Sequence, residues 1–122
     1  RWDRSRGDAG NTLDLTGHGT FVAGIIAGAS IGVAPRAQVV PIKVFDAKNQ
    51  SSSNYLLRAV EEVLNEKKKR KQNGGRPMAA MFSVATFYHE SINRAFRSLV
   101  QTGVPTVVSA GNKNADASGY SP

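Results

Sequence analysis

The sequence lacks cysteine and contains only two histidines among its 122 residues. Without cysteine, the chain can form no disulfide bond, no thiolate metal site and no cysteine nucleophile. The pair His89-Glu90 is not followed by the second histidine of a zinc-protease helix motif. Two histidines without cysteine are also a poor donor set for zinc. We therefore predict that a functional site in this chain contains no metal.

Long apolar runs are also missing. The longest mostly apolar stretch spans residues 21–35, which is shorter than the roughly 20 residues that a membrane-spanning helix needs. The chain is polar from Arg1 onward, shows no signal peptide and begins without an initiator methionine. We predict no association with membranes, and we expect the chain to be an excerpt from a longer polypeptide.

Acidic residues are few, with 9 Asp and Glu against 16 Lys and Arg, and the net charge is +7. Six of the basic residues lie within residues 67–71 and at Arg76. Such a cluster can bind nucleic acid, but this one has no interleaved aromatic residues that could stack on bases. We interpret it as the solvated end of a helix and predict that nucleic acid is not a partner.

What the chain does contain is an alternation of helical and strand-like segments. Apolar spacing predicts helices over residues 18–29, 54–71 and 91–102. The first is apolar nearly all round, so we expect it to be buried. The other two are amphipathic, with the inward-facing residues Leu56, Ala59, Val60, Val63 and Leu64 in one and Ile92, Ala95, Phe96, Leu99 and Val100 in the other.

Runs rich in β-branched or apolar residues predict strands over residues 37–45, 78–84 and 104–110, with residues 111–122 as a loop. Strands that alternate with helices are typical of a parallel sheet with right-handed crossovers. The sequence therefore predicts an α/β domain whose parallel sheet has at least three strands. Functional sites in such sheets form at the carboxyl ends of the strands. Three stretches are predicted to lie there: the loop after Phe45, residues 83–85 and residues 109–112.

Two residues are candidates for catalysis. His18 lies between Gly17 and Gly19 at the start of the first helix, where its imidazole is accessible and can act as a general base for a hydroxyl nucleophile. Asn112 follows the last strand and can donate an N–H to a developing oxyanion. The alternatives are an incidental histidine at a glycine-rich helix entry and a turn-forming asparagine.

One modification motif is present. Asn49-Gln50-Ser51, in the polar loop after the first predicted strand, matches the acceptor sequence for N-glycosylation. The motif has meaning only if the chain is secreted.

Several segments, in a specific order, resemble the subtilisin-like serine proteases. Residues 17–24 (Gly-His-Gly-Thr-Phe-Val-Ala-Gly) resemble the histidine motif of that family, and residues 107–112 (Val-Val-Ser-Ala-Gly-Asn) resemble its oxyanion segment. Residues 31–35 and 39–46 resemble the two family segments that follow the histidine motif. Residues 114–117 and 120–122 are close to the proteinase K branch.

The resemblance implies a three-layer subtilisin-like fold, with helices on both faces of a parallel sheet, of which this chain is a fragment. It implies a serine endopeptidase that hydrolyses peptide bonds through an acyl-enzyme. His18 would be the general base and acid, and Asn112 the oxyanion donor. Ser83, Val84 and Ala85 would pair with substrate as an extended strand, and Ser109, Ala110 and Gly111 would line the pocket for the residue before the scissile bond.

The sequence also departs from the family pattern. None of Asp3, Asp8 and Asp14 has the Ser/Thr-Gly context of the triad aspartate, and no Gly-Thr-Ser-Met-Ala nucleophile motif occurs. Residues 1–122 are therefore interpreted as a partial peptidase domain, inactive alone, that runs from the histidine motif through the oxyanion asparagine segment. The usual Leu-Gly-Gly after Ser83 is Val-Ala-Thr here, and the usually glycine-rich second substrate-flanking loop is residues 49–53.

The altered segment after Ser83 motivates an alternative from another class: a degenerate protease-like domain that binds peptides or partners without cleaving them. Under the first hypothesis the partner is a peptide or protein substrate, and the protein is expected to be a monomer, secreted or vacuolar. No cofactor is expected. Relatives often bind calcium as a structural ion, but no acidic loop here demands it.

Overall fold

The structure, a computed structural model, describes residues 13–122. Within that range the chain forms three α-helices, four short strands and a 3₁₀ turn. In chain order they are α1 (His18–Ala27), α2 (Ser53–Gln72), β1 (Ala80–Phe82), β2 (Thr86–Phe87), α3 (Glu90–Gln101), β3 (Thr106–Val108), the 3₁₀ helix (Ala117–Gly119) and β4 (Tyr120–Ser121). The chain divides into two compact units, Arg1–Tyr55 and Leu56–Pro122. Asp3 and Asp8, considered above, lie outside the described residues.

In the first unit, α1 begins after Gly17, whose φ of 80° is readily adopted only by glycine, and ends before the extended Gly28. It is two residues shorter than predicted. None of its side chains is buried, and Phe21 and Ile25 are 67% and 49% exposed. The expectation of a buried helix was therefore wrong for this chain. An all-round apolar helix is buried only when other elements pack against it, and residues 28–52, the described residues between α1 and α2, form no helix or strand that could do so.

The strand predicted over residues 37–45 does not form. Val39 and Val40 remain almost half exposed, at 45% and 47%. A strand is stable only when a neighbour accepts and donates its ladder hydrogen bonds, and the described residues of the first unit contain no strand to do this. Pro41 removes one of the donors as well. Lys43 instead ties this segment to the residues before α1, because its Nζ donates to the carbonyl oxygen of Leu13 at 3.0 Å.

The second unit is built around two parallel strands and two amphipathic helices. Strand β1 pairs with β3 in parallel, with Ala80 opposite Thr106 and Phe82 opposite Val108. The core beside them consists of buried apolar residues from both helices, from β1 and from the segment before β3: Leu56, Ala59, Val60, Val63, Ala80, Phe82, Ile92, Phe96, Leu99 and Val104. The α/β class is thus confirmed, but the parallel sheet has two strands in the described residues rather than three or more.

Most of the predicted helix faces are correct. Leu56, Ala59, Val60 and Val63 of α2 and Ile92, Phe96 and Leu99 of α3 are buried, whereas Leu64 and Ala95 are half-buried. Val100 is 54% exposed, contrary to the prediction. It lies about 80° around the helix from Ile92, at the edge of the apolar stripe and outside the buried core.

The end of the chain is more ordered than the predicted loop. Strand β4 pairs antiparallel with β2, so that Thr86 lies opposite Ser121 and Phe87 opposite Tyr120. The rings of Phe87 and Tyr120 stack with their centroids 6.2 Å apart. The fully buried Ser121 accepts a hydrogen bond on its Oγ from the backbone N–H of His89 at 2.9 Å. Strands of two residues are too short to show the alternation of apolar and polar residues by which a strand is predicted from sequence.

The basic end of α2 is partly engaged within its own unit. Lys67 Nζ donates to the carbonyl oxygen of Thr102, just after α3, and Arg70 forms an ion pair with Glu66 at 2.8 Å. Lys69, Arg70 and Lys71 occupy the last turn, where they compensate the helix dipole. In the part of the chain that the structure covers, no helix is both long enough and apolar enough to cross a membrane.

Two adjacent residues of α3 provide a test of this core. Leu99 is fully buried, whereas Val100 is 54% exposed. Leu99→Ala is expected to lower the free energy of unfolding by about 3 kcal/mol, because it leaves a cavity in a packed core. Val100→Ala, the matched control, is expected to cost less than about 1 kcal/mol. Urea unfolding of both variants measures the difference, and equal losses would contradict the assignment of the core face.

Candidate active site

His18 is the first residue of α1 and is half-buried. Its ring meets the ring of Phe45 edge to face, with centroids 6.2 Å apart and planes at 89°. Within the described part of the first unit, no carboxylate is hydrogen-bonded to the imidazole. An edge-to-face aromatic contact of this kind restricts the orientation of the imidazole ring.

The start of α1 is held by Asp14. Gly17 occupies the N-cap position but has no side chain to satisfy the first backbone N–H groups of the helix. The carboxylate of Asp14 takes over this task. Its Oδ1 accepts from the backbone N–H groups of Thr16 and Gly17 at 3.1 and 2.9 Å, and its Oδ2 accepts from the N–H of Thr20 at 2.7 Å.

Thr20 adds a second bond to the same carboxylate, because its Oγ1 donates to Oδ2 at 2.7 Å. This hydroxyl is the largest influence that holds the pKa of Asp14 well below its usual range, followed by the backbone N–H of Thr20. A carboxylate that accepts several hydrogen bonds is stabilised in its charged form, and the helix N-terminus favours that charge. Asp14 therefore fixes the residues on both sides of His18.

This role of Asp14 was not predicted from the sequence, from which we concluded only that the residue lacks the context of the triad aspartate. The available signal was an acidic residue just before a helix whose N-cap is glycine, followed by a threonine in the first turn. Such a pattern predicts a side-chain cap supplied from outside the usual position.

In the second unit, the predicted strand-end geometry is present. Ser83 comes directly after β1, and Ser109 directly after β3. Because these strands are parallel neighbours, their carboxyl ends lie at the same edge. The N–H of Ser109 donates to the carbonyl oxygen of Phe82 at 3.2 Å, which extends the ladder beyond β3. The loop after Phe45, by contrast, does not follow a strand.

A side-chain bond fastens these two segments together. Ser109 Oγ donates to the carbonyl oxygen of Val84 at 3.1 Å. The hydroxyl proton of Ser109 is therefore committed to a structural tie rather than to nucleophilic attack. Residues 83–85 are held on both sides, because β1 before them pairs with β3 and β2 after them pairs with β4. Ala85 itself is exposed.

The segment after Ser109 turns outward. Ala110, Gly111 and Asn112 are exposed, and Gly111 has a φ of 88°, where a side chain would be strained. Ala110 and Gly111 line one side of a cleft of ≈ 360 Å³, whose remaining walls are Lys113, Asn114, Ala115, Asp116, Ala117 and Tyr120. Ser109 and Asn112 are not part of that lining.

The structure thus brings together the predicted substrate-binding residues of the second unit, Ser83, Val84, Ala85 and Ser109, and places Ala110 and Gly111 beside a cleft. His18 belongs to the first unit and Asn112 to the second. In residues 13–122 no group of three or more His, Asp or Glu side chains is arranged to hold a metal ion. The available chemistry is proton transfer at His18 and hydrogen-bond donation at Asn112.

The cap by Asp14 generates a prediction about pH. Because the pKa of Asp14 is lowered on folding, its contribution to the stability of the α1 start is present above about pH 4 and is lost as the pH falls below that value. The carboxyl ¹³C resonance of Asp14 is therefore expected to titrate below the ordinary midpoint of about 3.9.

Asp14→Asn is expected to remove this pH dependence and to speed amide exchange at Thr20, which loses its carboxylate acceptor. Asp46→Asn is the matched control, because Asp46 Oδ1 caps a different turn, where it accepts from the backbone N–H groups of Lys48 and Gln50. A midpoint of Asp14 at its ordinary value, or unchanged exchange at Thr20, would contradict the cap.

Comparison with known proteins places these segments in one family. The subtilase family model matches residues 1–122. Subtilisin-like protease 2 of Pseudogymnoascus destructans is 37% identical over 124 aligned residues, which cover 100% of this chain and 29% of that protein. Proteinase R of Parengyodontium album is 36% identical over 112 residues, covering 92% of this chain and 28% of that protein.

Alkaline proteinase of Hapsidospora chrysogena is 35% identical over 116 residues, covering 93% of this chain and 27% of that protein. The chain thus spans less than a third of the length of each of these relatives. The similarity to Proteinase R agrees with the resemblance of residues 114–122 to the proteinase K branch. The family match extends over the histidine motif, both strand-end segments and the oxyanion segment, and the chain belongs to the subtilase family of subtilisin-like serine proteases.

Proposed function

We propose that residues 1–122 are part of a serine endopeptidase domain and supply its general base, its oxyanion donor and one wall of its substrate cleft. The observation that carries the proposal is the junction of residues 83–85 with Ser109 at the ends of β1 and β3. These are the segments that, in the resemblance, bind the substrate backbone and lead to the oxyanion asparagine. Membership of the subtilase family supports the same assignment.

The substrate class follows from residues 83–85. They form a short extended connection, anchored at both ends, with Ala85 exposed. An anchored segment of this kind offers backbone N–H and C=O groups to an extended peptide, which adds to it as a further strand. The substrate is therefore a peptide or an unfolded stretch of protein. Ala110 and Gly111, beside the cleft, would receive the side chain that precedes the scissile bond.

In the proposed mechanism, a serine hydroxyl from a segment outside residues 1–122 attacks the carbonyl carbon of the scissile peptide bond. His18 accepts the hydroxyl proton and then gives it to the leaving amine, which yields an acyl-enzyme. A water molecule, deprotonated by His18, releases the acyl group. In both the formation and the hydrolysis of the acyl-enzyme, the side-chain amide of Asn112 donates to the oxyanion. Loss of such a donor typically lowers the rate about 10²–10³-fold.

We further propose that the triad aspartate and the nucleophile lie outside this chain, that residues 1–122 are inactive alone, and that the complete domain has helices on both faces of a longer parallel sheet. The protein would act as a secreted or vacuolar monomer without bound nucleic acid or membrane. No catalytic cofactor enters this mechanism.

The alternative is a degenerate protease-like domain that binds peptides without cleaving them. One feature favours it. Thr86, at a position where the family usually has glycine, lies in β2 opposite Ser121. The branched side chain of Thr86 leaves less room for a substrate backbone than glycine would.

The two histidines of the chain provide a matched test in the longest polypeptide that the gene encodes. His18→Ala is expected to lower kcat for casein or a chromogenic peptide by about 10⁴-fold or more, as the loss of a triad base does in this reaction. His89→Ala is expected to leave the rate near that of the parent, because His89 makes its structural bonds through its backbone: its N–H donates to Ser121 Oγ at 2.9 Å and its carbonyl oxygen accepts from the N–H of Asn93 at 3.1 Å. An inactive parent that still binds peptide, unaffected by His18→Ala, would favour the degenerate domain.

A fluorophosphonate probe tests the location of the nucleophile. It is expected to label the long polypeptide and to leave the 122-residue chain unlabelled. Labelling of the short chain would contradict the proposal that the nucleophile lies elsewhere.

A further inference from the structure

The turn between residues 37–45 and α2 carries the only Asn-x-Ser/Thr sequence of the chain, Asn49-Gln50-Ser51. From its geometry we infer that Asn49 is an N-glycosylation site, occupied when the polypeptide passes through a secretory lumen. The inference depends on the secretory route proposed above, but not on catalysis.

The turn is closed independently of the acceptor side chain. The N–H of Asp46 donates to the carbonyl oxygen of Gln50 at 2.9 Å, and the N–H of Asn49 donates to the carbonyl oxygen of Asp46 at 3.1 Å. Asp46 Oδ1 accepts from the N–H groups of Lys48 and Gln50 at 2.9 and 2.8 Å. The Asp46 carboxylate and the backbone thus shape the turn, and none of these bonds uses the carboxamide of Asn49.

The acceptor residue is presented outward. Asn49 has a φ of 58°, a left-handed conformation that asparagine tolerates at turn tips. Asn49, Gln50 and Ser51 are all exposed. A large, hydrated group attached at this position therefore displaces no packed residue. The residue between Asn49 and Ser51 is glutamine rather than the proline that prevents modification.

The group transfer requires a sugar donor, which here is a polyisoprenyl-diphosphate-linked oligosaccharide. A bond forms between Asn49 Nδ2 and the anomeric carbon of the first sugar, and the bond from that carbon to the diphosphate oxygen breaks. One amide proton leaves Nδ2 and is balanced by the diphosphate leaving group. No electrons are exchanged, and the second amide hydrogen remains on Nδ2.

The test places a heterologous secretory leader before residues 1–122 and expresses the chain in a eukaryotic secreting host. Both medium and cell pellet are assayed, because transfer occurs as the chain enters the lumen and does not require secretion to be complete. The expected result is one discrete mobility shift that peptide N-glycosidase removes. Removal in H₂¹⁸O is expected to leave ¹⁸O-labelled aspartate at position 49 in the peptide mass spectrum.

The variants separate the acceptor motif from its neighbourhood. Asn49→Gln and Ser51→Ala are each expected to abolish the shift, whereas Ser52→Ala, an exposed serine outside the motif, is expected to retain it. An unmodified Asn49 in the leader-directed chain would overturn the inference, as would a shift that survives Asn49→Gln.

A second arm uses the gene's own amino-terminal sequence instead of the heterologous leader. Modification with both leaders supports the site and the secretory route together. Modification only with the heterologous leader supports the site and contradicts the proposed localisation, so the two failures are distinguished.

Discussion

The parallel pairing of β1 with β3 is the constraint on which the second unit depends. Parallel neighbours cannot be joined by a tight turn, so the chain must cross over between them, and α3 lies within that crossover. The helix contributes Ile92, Phe96 and Leu99 to the core, and the rings of Phe82 and Phe96 meet with centroids 4.6 Å apart. The same pairing brings the carboxyl ends of both strands to one edge, where Ser109 is tied to Val84. Packing and candidate function therefore follow from one topological choice.

The elements with strong local signals could be predicted from the sequence. Residues Leu56, Ala59, Val60 and Val63 repeat at helical spacing beside a charged face, and α2 begins and ends within one residue of the prediction. Glycine at position 103 ends α3 with a φ of 81°, as a helix C-terminus requires. The strand-end position of Ser83 and Ser109 followed from the alternation of elements, because side chains after parallel neighbours must meet.

Elements that depend on a distant partner could not be predicted in the same way. Residues 37–45 have strand-like composition, but a strand also needs a ladder, and the described residues of their unit offer none. The prediction that α1 is buried was wrong for a related reason. Apolar composition indicates that a helix would be stabilised by burial, but it does not show that another element packs against the helix. Strands β2 and β4 pair over only two residues each, too few for a periodic pattern. The cap by Asp14 depends on backbone geometry around Gly17 that composition does not reveal.

In each unit, the segment that carries candidate site residues is held through hydrogen bonds between a side chain and the backbone. Each segment lies where regular secondary structure stops, at the N-terminus of α1 or beyond the ends of β1 and β3, and leaves backbone groups without ladder or helix partners. In the first unit the charged Asp14 accepts from backbone N–H groups, and in the second the neutral Ser109 donates to a backbone carbonyl. A charge-assisted bond is stronger and depends on pH, whereas a hydroxyl–carbonyl bond is weaker and does not. The position of His18 should thus respond to acid well before the substrate-binding segment does, since only the former depends on an ionised group.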